Sequence, residues 1–247
     1  MAAWTAESVH CVLFSPPHLG GGDAYQPWLK LFGTSPASFQ QSAPNMPRGS
    51  SQASGSVGDF HIAIITMPGR LELLIGPSDQ NLNEAFPVIP NPSEALKLVQ
   101  EYAGRLAGDS EVLRIGVIVN VVEHVRTAQD AVAQFASAVP VRDIPSRARD
   151  LSFSVNFRRP SALPDWEINR LARWSVSTKQ LMQMSASGGG AITPGPTVEQ
   201  EAFNLQVDVN TVLRQQPLPH DRIKHVLEEL AQEADAILSS GYEHVTR

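Results

Sequence analysis

A chain of 247 residues carrying 19 basic and 25 acidic side chains has a net charge of −6. That length suits one large or two small domains and buries a core without staples, since such chains hide about 70–75% of their unfolded surface. The acidic balance, with a pI near 5.6, argues against a dedicated nucleic-acid binder, which would show a basic patch or a domain pI above about 9. The single cysteine, Cys11, excludes an internal disulfide framework. The start lacks a cationic leader, and no stretch approaches the roughly 20 apolar residues of a membrane helix. The expectation is a soluble, cytoplasmic protein.

Val9-His10-Cys11-Val12-Leu13-Phe14 reads as a strand buried on at least one face, with Cys11 a packing thiol rather than a nucleophile. Pro16-Pro17 and Gly20-Gly21-Gly22 turn the chain, and Trp28, Leu29, Leu31 and Phe32 suggest a short helical turn against the core. From 34 to 58 Ser, Pro, Gln and Gly dominate. Too little apolar surface remains there to offset ordering entropy, so a flexible loop is expected. Phe60 to Met67 and Arg70 to Ile75 flank Pro68-Gly69 and predict a hairpin.

Asn91-Pro92 opens a helix that ends at Gly108, with Leu96, Val99, Ala103 and Leu106 as its buried stripe. Glu111 to Val122 is apolar on both faces and predicts a central strand. Thr127, with Asp130 three residues on, caps a short helix carrying Ala131, Val132, Phe135 and Val139. Leu151 to Phe157 alternates as a strand. The segment 166–184 admits helix or strand; Trp174-Ser175-Val176-Ser177-Thr178 favours the strand. It would pair with Phe203 to Val212, whose Leu205, Val207 and Val209 alternate with Gln206, Asp208 and Asn210. Beyond Pro219 comes a long amphipathic helix. Ile223, Val226, Leu227, Leu230, Ala231, Ala234, Ile237 and Leu238 form its stripe, with Glu228, Glu229 and Glu233 largely on a solvated side. The fold class is therefore α+β: one domain over 1–247, a mostly antiparallel sheet of six or seven strands, helices on one face and a long C-terminal helix.

Chemistry is sparse. The histidines show no metal-ligand spacing, and His220 and His225 fall on different helix faces. Glu123-His124 follows a strand and could serve acid–base work at a sheet rim. No Gly-x-Ser-x-Gly elbow occurs, and the glycine runs lack the Lys-Ser/Thr of a phosphate loop, so no cofactor is indicated. Arg158, Arg159, Arg170 and Arg173 with Trp166 and Trp174 are the nearest approach to a nucleic-acid surface. Asn120, Asn156, Asp208 and Asn210 project from wet strand faces and could line a polar groove.

The strand Arg114-Ile115-Gly116-Val117-Ile118-Val119-Asn120, with Leu205-Gln206-Val207-Asp208-Val209-Asn210 running into the terminal helix, resembles a sporadically distributed bacterial family of uncharacterised proteins. Ile118 stands where that pattern prefers Arg, and Val119 where it prefers an aromatic residue. The resemblance implies an α+β fold and a bacterial source, and no activity. With no catalytic constellation visible, the reading is a non-enzymatic binding or assembly protein. It would act on a protein partner or on itself through a sheet face, a sheet edge or the terminal helix. The alternative is a small-molecule or enzymatic cavity between a curved sheet and that helix, as in helix-grip folds.

Overall fold

A computed structural model describes residues 4–17, 22–42, 49–78, 85–108, 111–186 and 192–247. Its strands are β1 (Thr5–Phe14), β2 (Ser38–Gln41), β3 (Ser51–Val57), β4 (Phe60–Met67), β5 (Arg70–Pro77), β6 (Arg114–Val125), β7 (Ser152–Pro160), β8 (Glu167–Ala186) and β9 (Ile192–Thr211). The helices are α1 (Tyr25–Phe32), α2 (Pro92–Ala107), α3 (Ala128–Ala138), α4 (Ile223–Ser240) and the single turn α5 (Tyr242–Val245). All nine strands join one antiparallel sheet, ordered β2-β3-β4-β5-β1-β6-β9-β8-β7. The architecture is α+β as expected, with nine strands rather than six or seven.

The extra strands lie largely where a loop was expected. The segment 34–58 carries β2 and β3, while residues 43–48 lie outside the described residues. Small side chains are what this strand needs. A Cβ on Gly55 would stand 3.2 Å from the Trp28 ring of α1, so the strand stays narrow where the helix brings bulk. The hydroxyl of Ser51 lies 2.8 Å from that of Thr66 and accepts from the Ala24 amide at 2.6 Å. Apolar content under-reports such a strand because its partner supplies the volume.

Strand alternation divides the sheet into two faces. Val9, Cys11 and Leu13 of β1 share a face with Ile115, Val117 and Val119 of β6 and with Leu205, Val207 and Val209 of β9, and all of them belong to one core. The helices pack on this face: Trp28 over Gly55, Gln134 of α3 on Glu123, Glu233 of α4 on Arg159 and Arg170, and Tyr242 of α5 beside Trp174. α2 lies against β1 and α4. A register shift between Ala6 and Ser8 keeps Ala6 on the core side with Val9. The apolar stripe of α4 is buried within this chain, with Leu227, Leu230 and Ile237 fully covered.

Two predictions about the last strands resolve plainly. Residues 167–186 are strand, paired with β9 across their length. Glu229 and Glu233, read as solvated, instead reach back to the sheet. Glu229 accepts from the Ser161 hydroxyl at 2.6 Å and the Ala162 amide at 3.0 Å, and Arg159 bridges both carboxylates at 3.0 and 2.8 Å. The helix pattern places these groups on the stripe's margin; their partners come from β7, β8, the turn between those strands and α5.

Candidate functional site

The other face of the sheet carries the polar residues. Its rows follow from register. His10 stands beside Leu74 and Ile118, then Asp208, Leu171 and Asn156 follow across β9, β8 and β7. The next row holds Glu72, Val12, Gly116, Asn210, Asn169 and Arg158. On the other side Ser8, Asn120, Gln206 and Arg173 align.

Side chains from these rows join into two hydrogen-bonded chains. In the first, Gln206 Nε2 donates to Asn120 Oδ1 at 2.9 Å, and Asn120 Nδ2 donates to Ser8 Oγ at 3.0 Å. Ser8 Oγ lies 2.9 Å from His10 Nε2, and His10 Nδ1 lies 2.9 Å from Glu72 Oε1. Arg70 closes the chain on Glu72 Oε2 at 2.7 Å. The polarity follows from the ends. Ionised Glu72 only accepts, so His10 Nδ1 carries the proton; in the neutral ring Nε2 then accepts from the Ser8 hydroxyl. The hydrogen bond from His10 holds the Glu72 carboxyl below its usual range against the opposing effect of burial, and the Arg70 charge adds to it.

In the second chain, Arg158 Nε donates to Asn169 Oδ1 at 3.0 Å, and Asn169 Nδ2 to Asn210 Oδ1 at 2.9 Å. Asn210 Nδ2 then donates to Asp208 Oδ1 at 2.8 Å. Three of the four residues expected along a polar groove are thus engaged, but not as one group. Asn120 belongs to the first chain, and Asp208 and Asn210 to the second. Asn156 shares a row with Asp208 but stands exposed on β7, outside both chains. Half-buried Ile118 stands between His10 of the first chain and Asp208 of the second, and half-buried Leu171 lies beyond Asp208, beside Asn156.

Ser8, His10, Glu72 and Gln206 were not singled out from the sequence as site residues. Ser8 and His10 are two apart on a strand, a spacing that puts them on one face. Glu72 comes from a strand 62 residues away, and nothing local announces that pairing.

The Ser8–His10–Glu72 arrangement has the hydrogen-bond polarity of a nucleophilic triad. What it lacks is shape. Ser8 stands within strand β1 beside its register shift, paired with Asn120, rather than on the sharp strand-to-helix turn that presents a nucleophile next to oxyanion donors.

Other sequence candidates are pulled apart by strand alternation. Glu123 faces α3, where Gln134 Nε2 donates to it at 3.3 Å. His124 faces the opposite way, its ring 5.9 Å from that of Phe86, with both nitrogens buried and without a hydrogen-bond partner. Burial lowers the His124 pKa, and the Lys179 charge adds to that. The arginines divide likewise. Arg159 and Arg170 are committed to carboxylates of α4, while Arg158 and Arg173 lie on the other face. Trp174 is buried, and Arg214 covers Trp166 at 5.2 Å. No continuous basic, aromatic surface forms from them.

Among the described residues no cluster of three metal-ligating side chains occurs, and no helix is long and apolar enough to cross a membrane. No family model, curated protein or solved structure matches this chain.

Proposed function

We propose that this is a non-enzymatic binding protein that engages a protein partner through the sheet face opposite its helices. One observation carries the reading: two ordered chains of polar side chains surround half-buried Ile118, with Leu171 on the far side of Asp208. A pre-ordered polar frame around an apolar centre is the composition of a recognition surface, because its side chains lose little entropy on binding. The β8–β9 ribbon extends the same surface. Pairing with β6 ends at Val125–Glu201 and pairing with β7 ends at Ser152–Ser175, while β8 and β9 continue to Ala186–Ile192. Eight residues of β8 (179–186) and nine of β9 (192–200) run roughly 26–30 Å past the last β6 pairing. Leu181 and Met182 on that ribbon are exposed.

The terminal-helix variant of the binding reading loses its surface, since the α4 stripe is buried in the core of the same chain. A photoreactive residue at position 171, expressed in the native host, tests the sheet-face reading. A discrete protein adduct is expected from position 171, and none from position 213, an exposed leucine away from the face. Adducts from 213 with none from 171 or 118 would sink it. Light scattering of the purified chain then separates a second copy from a different partner.

A further inference from the structure

On the opposite side of the sheet, a cleft of about 440 Å³ opens where α3 and α4 both end. We infer that this cleft is a binding site for a small organic cation with an alkylammonium head. It is distinct from the sheet-face surface and independent of it.

The volume lies within the range of small-molecule sites. Its floor is aromatic. Half-buried Trp4 and Tyr242 offer ring surface to the cleft, backed by Phe203 and Trp174, each only 1% exposed, at ring-centroid distances of 5.1 Å (Trp4–Phe203) and 6.4 Å (Trp174–Tyr242). Phe153 backs the second pair, 6.0 Å from Trp174 and 5.9 Å from Tyr242. Aromatic faces carry negative potential and attract cations, most strongly where water is excluded.

The helix ends point the same way. Ser137 to Val139 close α3, and Leu238 to Gly241 close α4, and both sets line the cleft. The last carbonyls of a helix lack intrahelical donors, and each helix C-terminus behaves as about half a negative charge. Single amides answer two of these carbonyls, Val139 N–H to Phe135 O at 3.2 Å and Gly241 N–H to Ile237 O at 2.8 Å. The single turn of α5 opposes this field little. Glu243 adds a carboxylate at the rim, one it shares with exposed Arg247 at 3.3 Å, and no Lys, Arg or His is among the lining residues.

The chemistry selects the ligand class. A metal ion needs several carboxylate, imidazole or thiolate ligands, and this cleft offers one carboxylate. An anion meets two negative helix ends. A neutral apolar ligand would satisfy the rings but leave the field unused. An alkylammonium group uses both, with its carbon shell against the rings and its charge toward the carbonyls.

Calorimetric titration with choline and with its neutral isostere 3,3-dimethylbutan-1-ol tests this directly, with tryptophan emission as a second readout. Choline should bind, and the isostere should bind about tenfold more weakly, the factor expected for a partly desolvated cation–π contact. Trp4→Ala should weaken choline by a similar factor. Glu243→Gln, an exposed change at the rim, should weaken it by about threefold and leave the isostere unaffected. No saturable choline binding at millimolar concentration, or equal affinity for choline and isostere, would overturn the inference. So would choline affinity unmoved by Glu243→Gln and Trp4→Ala in folded protein.

Discussion

Glu233 and Arg170 form a pair whose two halves should not cost the same to remove. Arg170 is only 3% exposed, and its Nη1 reaches Glu233 Oε2 at 3.6 Å and the His244 carbonyl at 3.1 Å, while its Nε has no partner. Glu233 is richer in partners: Arg159 Nη2 at 2.8 Å and His244 Nε2 at 3.2 Å besides Arg170. Glu233→Ala therefore strands a buried guanidinium on one carbonyl, a loss of about 3–5 kcal/mol. Arg170→Met removes the buried charge and leaves Glu233 still bridged, so its cost should stay under about 2 kcal/mol, mostly the His244 carbonyl losing its donor. For a chain of this size each kcal/mol moves the midpoint by about 2–4 °C, which sets Glu233→Ala roughly 10 °C below wild type.

The assay is thermal and urea unfolding of both variants at neutral pH, repeated in acid. Burial works to raise the Glu233 pKa, but the hydrogen bond and charge of Arg159, with those of His244, outweigh it and hold the pKa below its ordinary 4.5. Its contribution is thus complete above that ordinary value and is lost as pH falls through the folded one. The gap between wild type and Glu233→Ala should narrow across that acid window. Equal losses for the two variants at neutral pH, or a larger loss for Arg170→Met, would refute the asymmetry. A gap that does not narrow in acid would refute the linkage.

Leu227→Ala should cost about 2–5 kcal/mol without changing oligomeric state, because Leu227 is fully buried and closes on α2 at Gly104. Exposed Lys224→Ala is the control, and a shift from oligomer to monomer with the fold retained would return the helix stripe to an assembly role. Burial, with the Glu72 charge adding, pushes the Cys11 thiol up to about 12, so native protein should react slowly with a thiol reagent and unfolded protein quickly. Rapid stoichiometric labelling of the native chain would contradict this packing. A fluorophosphonate probe should leave Ser8 unmodified, since it sits within a strand rather than on a turn that would present oxyanion donors. Labelling that disappears in Ser8→Ala would turn the sheet face into an acyl-transfer site.

Local pattern determined more of the fold than of the site. The period-2 runs at Val9–Leu13 and Leu205–Val209, the Pro68-Gly69 hairpin and the α4 stripe were legible because each depends on which face of its own element a residue occupies. Thr127 and Asp130 were legible for the same reason, and both capping-box bonds form. The 51–57 strand was not. Its small side chains gain their burial from Trp28, which local composition does not register. Among the site candidates, Asn120, Asp208 and Asn210 could be placed on the face away from the helices from alternation alone, but Asn210 is buried there rather than wet. Which of them bond together, and the joining of Ser8 and His10 to Glu72, depends on strand order. β1, the first strand in the chain, lies between β5 and β6 and brings His10 beside a carboxylate 62 residues away. Glu229 and Glu233 make the same point from the other side. Helical spacing sets them at the edge of a stripe, and only the packing of α4 on β7, β8 and their turn made them half-buried ion-pair partners rather than solvated charges. Periodicity is a property of neighbours in sequence, whereas partnership is a property of long-range packing, and in this chain the site is built almost entirely from the second.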